Sequence, residues 1–319
     1  MSVKVEKVVD SVTLGEGPHW DEQQQCLYFV SILDKTIHKY VPATKEHTKT
    51  TVGGRVGFII PVEGSSDQFV VGLERRFVVV RWDGREGGAA RELATLAEVD
   101  HGRDTRINDA KADPRGRIYG GTMGHEESPG AVERGQGSLY RLARGQLARL
   151  DSGIDISNGL AWDPPRRAFY YIDSLERNIR RYDYDVETGD ISNKSYIFDF
   201  AAHGIAGVPD GACADAAGDL WVAAFGGGEV LHVAGGRGGG RGRTAARTRA
   251  HTRATGNVCL LGGRPLVRDV SVRAALPRRA PAPRPQRRHL RGDGAGGPRR
   301  PRAALQDVGN TRDTRHDQQ

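Results

Sequence analysis

The sequence predicts an all-β fold, a β-propeller, and three observations carry the expectation. The first is a recurring segment. Four stretches align without gaps: EGPHWDEQQQCLYFV from Glu16, NDAKADPRGRIYGGT from Asn108, NGLAWDPPRRAFYYI from Asn158 and DGACADAAGDLWVAA from Asp210. The second is composition within the copies, where β-branched and aromatic runs such as CLYFVSI, FVVVRWD and LWVAAF are broken by turn residues. The third is the lack of a long amphipathic helix. YDYDVETGDISNKSYIFDF alternates as strand, turn and strand, without the helical period an αβ solenoid would need.

Each copy has an aspartate five positions after its first residue: Asp21, Asp113, Asp163 and Asp215. A short polar turn follows, then a strand with an aromatic residue, namely Tyr28, Tyr119, Phe169 and Trp221. A weaker copy, VEGSSDQFVVGL, puts Val62 first and Asp67 at the aspartate position, so that successive aspartates lie 46, 46, 50 and 52 residues apart. A period near fifty with about four short strands per unit is that of propeller blades. The recurring aspartate reads as a turn former.

Composition divides the chain of 319 residues in two. From Ala234 to Gln319 there are 20 Arg, no Lys and five Asp, a balance of +15, which leaves residues 1–233 at −8 of the total +7. No aromatic residue follows Phe225. Residues 1–233 therefore read as a partial propeller and 234–319 as a disordered low-complexity tail, too poor in large side chains to offset its ordering entropy. The tail has three readings: an Arg-Gly segment that binds RNA, a solvated tail, or GC-rich coding sequence translated in the wrong frame. The missing aromatics weigh against nucleic acid as a partner, because they supply single-strand stacking; the Arg/Ala/Gly/Pro bias favours the frame error.

No apolar run approaches the ~20 residues of a membrane span, and MSVKVEKVVDSVTL lacks the apolar region of a secretory signal. Three cysteines, Cys26, Cys213 and Cys259, are too few for a disulfide framework. The expectation is a cytoplasmic monomer with no membrane partner.

The first residues of the four good copies, Glu16, Asn108, Asn158 and Asp210, all carry a side-chain oxygen. Equivalent positions in successive blades lie on a ring around the propeller axis, so four hard donors converge. They suit Ca2+, Mg2+ or Mn2+, with Zn2+ accommodated. Taken singly, an Asn or Asp before Gly is a turn residue. Four in register, one of them a glutamate, point to a divalent-cation site. The weak copy, with Val62, contributes no ligand.

The motifs EGPHWD, RINDAKADPRGR, GTM followed by Glu126, DISNGLAW, FYYIDS, YDYDVETGDISN and PDGACADAAGDLWVA resemble the gluconolactonase-like family, which includes regucalcin (senescence marker protein) and the insect luciferin-regenerating enzymes. The resemblance runs over about residues 8–233. It implies a six-bladed β-propeller with one divalent cation, here incomplete at four to five blades. It also implies metal ligands at Glu16, Asn158 and Asp210, and substrate contacts at Arg106, Asn108 and Glu126. The implied reaction is hydrolysis of a sugar lactone such as glucono-1,5-lactone, with Asp210 as candidate general base and a water acidified by the cation as its rival. Loss of blades five to six would leave this chain unstable and inactive. The alternative function is that of a non-catalytic calcium-binding regulatory protein, which the same oxygen ring permits.

Overall fold

Each copy of the repeat folds into an antiparallel four-stranded sheet in the computed structural model, which describes residues 7–87, 90–128 and 130–234 and the backbone of 243–249. These residues all lie in one unit, Met1–Pro277. Blade one is β1 (Gly15–Asp21), β2 (Cys26–Ser31), β3 (Thr36–Val41) and β4 (Glu46–Thr51). Blade two is β5 (Val56–Pro61), β6 (Gln68–Leu73), β7 (Arg76–Arg81) and β8 (Arg91–Glu98). Blade three begins with β9 (Thr105–Ala112) and β10 (Ile118–Gly124). A small hairpin, β11 (Glu126–Ser128) and β12 (Ala131–Val132), then leaves the sheet before β13 (Gly137–Ala143) and β14 (Gln146–Ile154) complete it. Blade four is β15 (Ser157–Asp163), β16 (Ala168–Asp173), β17 (Asn178–Tyr184) and β18 (Ile191–Asp199), and blade five is β19 (Val208–Ala214), β20 (Leu220–Phe225), β21 (Glu229–Ala234) and β22 (Arg243–Arg249). The first strand of each blade neighbours that of the next in the order β1, β5, β9, β15, β19, the arrangement of a propeller's inner ring.

The recurring aspartates close the first turn of their blades. Asp21 Oδ1 accepts the backbone N–H of Gln23 and Gln24, Asp113 those of Arg115 and Arg117, and Asp215 those of Ala217 and Asp219. Asp163 accepts that of Arg166. A carboxylate here satisfies turn amides that the ladder cannot reach.

Because strand side chains alternate between faces, each inner sheet packs on both neighbours. In β16, Phe169 and Tyr171 face Tyr119 and Leu139 of blade three, while Tyr170 and Ile172 face Val222 and Leu231 of blade five. Tyr28 meets Phe69 between blades one and two, with ring centroids 4.8 Å apart. Phe58 and Phe77 pack with Tyr140 between blades two and three. Each such fully buried side chain contributes roughly 1.5–3 kcal/mol relative to exposure, so stability resides in the faces between blades.

Two expectations need correction. The weak copy is out of register: blade two's inner strand is Val56–Pro61, so Val62 lies beyond its end and Asp67 pairs with Ser65 and Arg81 instead of forming the blade turn. An apolar pattern with an aspartate near the expected spacing misplaced the copy. The described residues form five blades, within the four to five expected, and the fifth is four-stranded because β22 comes from the segment expected to be disordered and pairs with β21 from Glu229↔Arg249 to Ala234↔Arg243. Backbone pairing makes no demand for large side chains, which is why composition did not reveal this strand. The remainder of the predicted disordered tail, and with it any sixth blade, lies outside the described residues.

Candidate metal centre on the propeller axis

The ring residues sit at one repeated irregularity. Glu16 opens a register shift that ends at His19, and Asn158 opens one that ends at Leu160. Asn108 is the extra residue between Ile107 and Asp109, and Asp210 lies within the shift between Pro209 and Ala212. A β-bulge inserts a residue and re-aims its side chain. The Asn-Gly and Asp-Gly pairs are therefore strand bulges and not turns. Blade two has its bulge between Val56 and Ile59, and β5 carries no oxygen-bearing side chain, so this blade supplies no donor.

The glycines of the motif serve the approach of the next blade. A Cβ on Gly159 would lie 2.6 Å from the Asp210 carbonyl oxygen, and one on Gly57 would lie 2.4 Å from that of Asn108. Removing the side chain lets successive inner strands approach closely enough to bring the ring residues together.

Glu16, Asn158 and Asp210 are all buried. Burial, followed by the neighbouring carboxylates of Glu16 and Asp109, pushes the Asp210 carboxyl well above its ordinary range. Three acids thus crowd one buried place, an arrangement that a divalent cation relieves. The amide of Asn158 is oriented to help: its Nδ2 donates to Ser174 Oγ at 2.9 Å, while its buried Oδ1 meets no hydrogen-bond donor. An acceptor in that state is rare in a folded protein and fits a cation ligand. The residues present therefore fit the group.

Asn108 is wired differently. Its Oδ1 accepts from Arg106 Nη1 at 2.7 Å and its Nδ2 donates to the carbonyl of Ser157 at 2.9 Å. Both ends of this amide are engaged. Arg106 is buried, and burial pulls its pKa down to about 10, opposed by the charge of Glu126 and assisted by that of Arg55. It remains a cation at neutral pH. Glu126 begins β11 and caps its own hairpin, accepting the N–H of Gly130 at 2.8 Å. Five of the six expected residues are linked directly: Arg106 bonds Asn108 and feels the charges of Glu126 and Glu16, and Asp210 feels Glu16. Asn158 joins them through its chain neighbours, Ser157 O bonding Asn108 and Gly159 lying against the Asp210 carbonyl.

Two residues of this neighbourhood escaped sequence reasoning. Asp109 is buried, with Oδ1 accepting the N–H of Ala110, and its signal was the acid that replaces the Gly following the ring residue in the other good copies. Ser174 gave no signal, since it reaches Asn158 only through the turn after β16.

A second grouping, Asp215, Asp219 and His232, has potential ligand atoms within 4.8 Å of one another. Asp215 begins about 16 Å further along blade five than Asp210, at ~3.3 Å per strand residue. Its side chains engage each other and their neighbours: Trp221 Nε1 donates to Asp215, and His232 Nε2 lies 3.2 Å from Asp219.

The model of the SMP-30/Gluconolactonase/LRE-like region matches residues 14–266 of this chain, running past the point where the quoted motifs stop. Among curated proteins the chain is similar to regucalcin of Xenopus laevis, 36% identical over 235 residues that make up 73% of this chain and 75% of that protein. Human regucalcin is likewise 36% identical over 235 residues, with the same coverage. Among solved structures, a luciferin-regenerating enzyme superposes with a TM-score of 0.75 at 38% identity, covering 80% of this chain and 82% of the other. A calcium-binding protein, regucalcin, from Agrobacterium tumefaciens gives 0.69 at 24% identity, with 80% of each chain covered, and shares the fold.

Proposed function

We propose that this chain, which belongs to the SMP-30/Gluconolactonase/LRE-like family, binds one divalent cation on its propeller axis and hydrolyses sugar lactones there. The observation that carries this reading is the crowding of Asp210 by Glu16 and Asp109 in a buried place, with a buried, unpartnered Oδ1 on Asn158 of the neighbouring inner strand. Glu16, Asn158 and Asp210 would hold the cation. An all-oxygen donor set favours Ca2+, with Mg2+, Mn2+ and Zn2+ as competitors. When bound, the cation supplies Lewis-acid polarisation of the lactone carbonyl.

The protein's own groups do the rest. Arg106 is fixed by burial and by its bond to Asn108, so its remaining N–H donors are aimed before substrate arrives. Glu126 supplies an acceptor for a sugar hydroxyl from the hairpin above blade three. Asn108 fixes Arg106 and links β9 to the start of β15. Asp210 is the candidate to take the proton of the attacking water, and because a carboxylate holding a cation is a weak base, a water acidified by the cation is its rival.

Chelator-stripped protein should hydrolyse glucono-1,5-lactone only after a divalent cation is returned, and Asp210→Ala should abolish the reaction. Tight Ca2+ binding with no hydrolysis of any sugar lactone would favour the second reading, a calcium-binding regulatory protein. That reading has the all-oxygen ligand set and the description of the Agrobacterium relative in its support.

A further inference from the structure

The two asparagines of the ring differ in what their amides face. Asn108 has both ends engaged, by Arg106 and by the Ser157 carbonyl. Asn158 has only its nitrogen end engaged, by the hydroxyl of Ser174 at 2.9 Å, and its buried oxygen meets no donor. Ser174 is 1% exposed and Asn158 4%, so no solvent is available to replace that contact.

Without a bound cation, the opposite orientation of the Asn158 amide is the electrostatically easier one. It would turn the two N–H groups toward the carboxylates of Glu16 and Asp210 and present donors where a cation needs an acceptor. The cation-bound orientation needs an acceptor for the buried amide N–H on the far side. We propose that Ser174 is the positioning residue of the cation site: when the Asn158 carbonyl oxygen holds the cation, the Ser174 hydroxyl is the acceptor that satisfies the buried amide N–H.

The local structure supports the role. Ser174 opens the short 3-10 turn Ser174–Glu176, which follows β16, and its N–H donates to Ile156 O, two residues before Asn158. Arg177 N–H closes the turn onto Ser174 O. The backbone carrying the hydroxyl is therefore pinned both to its own turn and to the strand entry that carries Asn158. Outer-shell partners of this kind typically change metal affinity by about 10- to 100-fold when removed.

The inference rests on the assignment of the cation to Glu16, Asn158 and Asp210, and the test separates the two. Calorimetric titration of the chelator-stripped full chain with Ca2+ would compare the parent with Ser174→Ala, Ser174→Thr and Asn158→Asp, and with Ser174→Ala in the Asn158→Asp background. A carboxylate presents oxygen in either orientation, so it has no need of Ser174. Expected are a 10- to 100-fold loss of Ca2+ affinity in Ser174→Ala, recovery in Ser174→Thr, and a loss under threefold when Ser174→Ala is added to Asn158→Asp. The melting temperature of the Ca2+-free protein should be the same in parent and Ser174→Ala, while the upward shift on adding Ca2+ shrinks. Parent-like Ca2+ affinity in Ser174→Ala, or an equal loss in the Asn158→Asp background, overturns the role of Ser174. Parent-like affinity in Glu16→Gln and Asp210→Asn, or no Ca2+ binding by the parent, overturns the cation site itself and the inference with it.

Discussion

The guanidinium of Arg106 donates to Oδ1 of Asn108 across 2.7 Å, so a fixed positive charge already engages this oxygen. Asn158, at the same position of the next blade, keeps its oxygen without a donor. One repeat position thus presents two differently engaged amides, set by which neighbour reaches each.

The two asparagines should therefore separate on mutation. Asn108→Ala should leave Ca2+ affinity within about threefold and raise KM for the lactone, because Arg106 loses its anchor. Asn158→Ala should cost about 10-fold or more in Ca2+ affinity, as expected for a lost ligand. Calorimetry paired with steady-state kinetics checks both. Equal losses of Ca2+ affinity in the two variants would refute the division of labour.

Cation binding should depend on pH with a defined sign. Burial and the charges of Glu16 and Asp109 raise the Asp210 carboxyl, so the cation-free site retains a proton at pH values where an exposed aspartate has lost its own. The cation must displace that proton. Apparent affinity should rise with pH, and binding should release protons, measurable as a dependence of calorimetric heat on the buffer's ionisation enthalpy. A pH-independent affinity between pH 5 and 8 would show that Asp210 is already ionised.

Acid should destabilise the fold through two histidines. Burial chiefly lowers His38 to about 3, with His47 and Lys49 adding to the effect, and lowers His19 to about 4, with Lys111 assisting and Asp21 opposing. His38 is held between Thr36 Oγ and His47 and stacks on Phe29, with ring centroids 4.6 Å apart. Both folded-state values lie below the unfolded value of about 6.5, so the unfolded chain gains the proton first. This part of the stability is intact above pH 6.5 and is lost as pH falls toward 4 for His19 and 3 for His38, by up to about 1.4 kcal/mol per pH unit for each. Denaturant melts from pH 7 to 4.5 should show the decline, and His38→Gln should flatten it.

Gly159 should tolerate no side chain. A Cβ there would meet the Asp210 carbonyl oxygen at 2.6 Å and the Ala212 Cβ at 2.9 Å, forcing β15 away from β19. Gly159→Ala should cost about 1–3 kcal/mol, as overpacking does, and weaken Ca2+ binding as well. Gly145→Ala offers a control with open space at the Cβ, where only the backbone strain of φ +75° acts. Circular dichroism melts with and without Ca2+ read both effects.

The fold was legible because a propeller writes its period into the chain. Four of the five described blades carry the same turn aspartate, aromatic strand and oxygen-bearing residue, and those four copies in register exposed the period. Blade two was misread because its inner strand has neither the oxygen donor nor the turn aspartate, leaving only an apolar run to align. The strand Arg243–Arg249 was missed because its place in the sheet depends on backbone pairing with β21, to which composition is blind.

By itself, the sequence determined the architecture and the repeat position at which Glu16, Asn108, Asn158 and Asp210 recur, since periodic chemistry is local and repeats. Only the tertiary structure decided which asparagine offers its oxygen, that Asp109 joins the acids, and that Ser174 orients Asn158. Those outcomes depend on which hydrogen-bond partner reaches a buried amide from another strand, and burial makes each such choice exclusive.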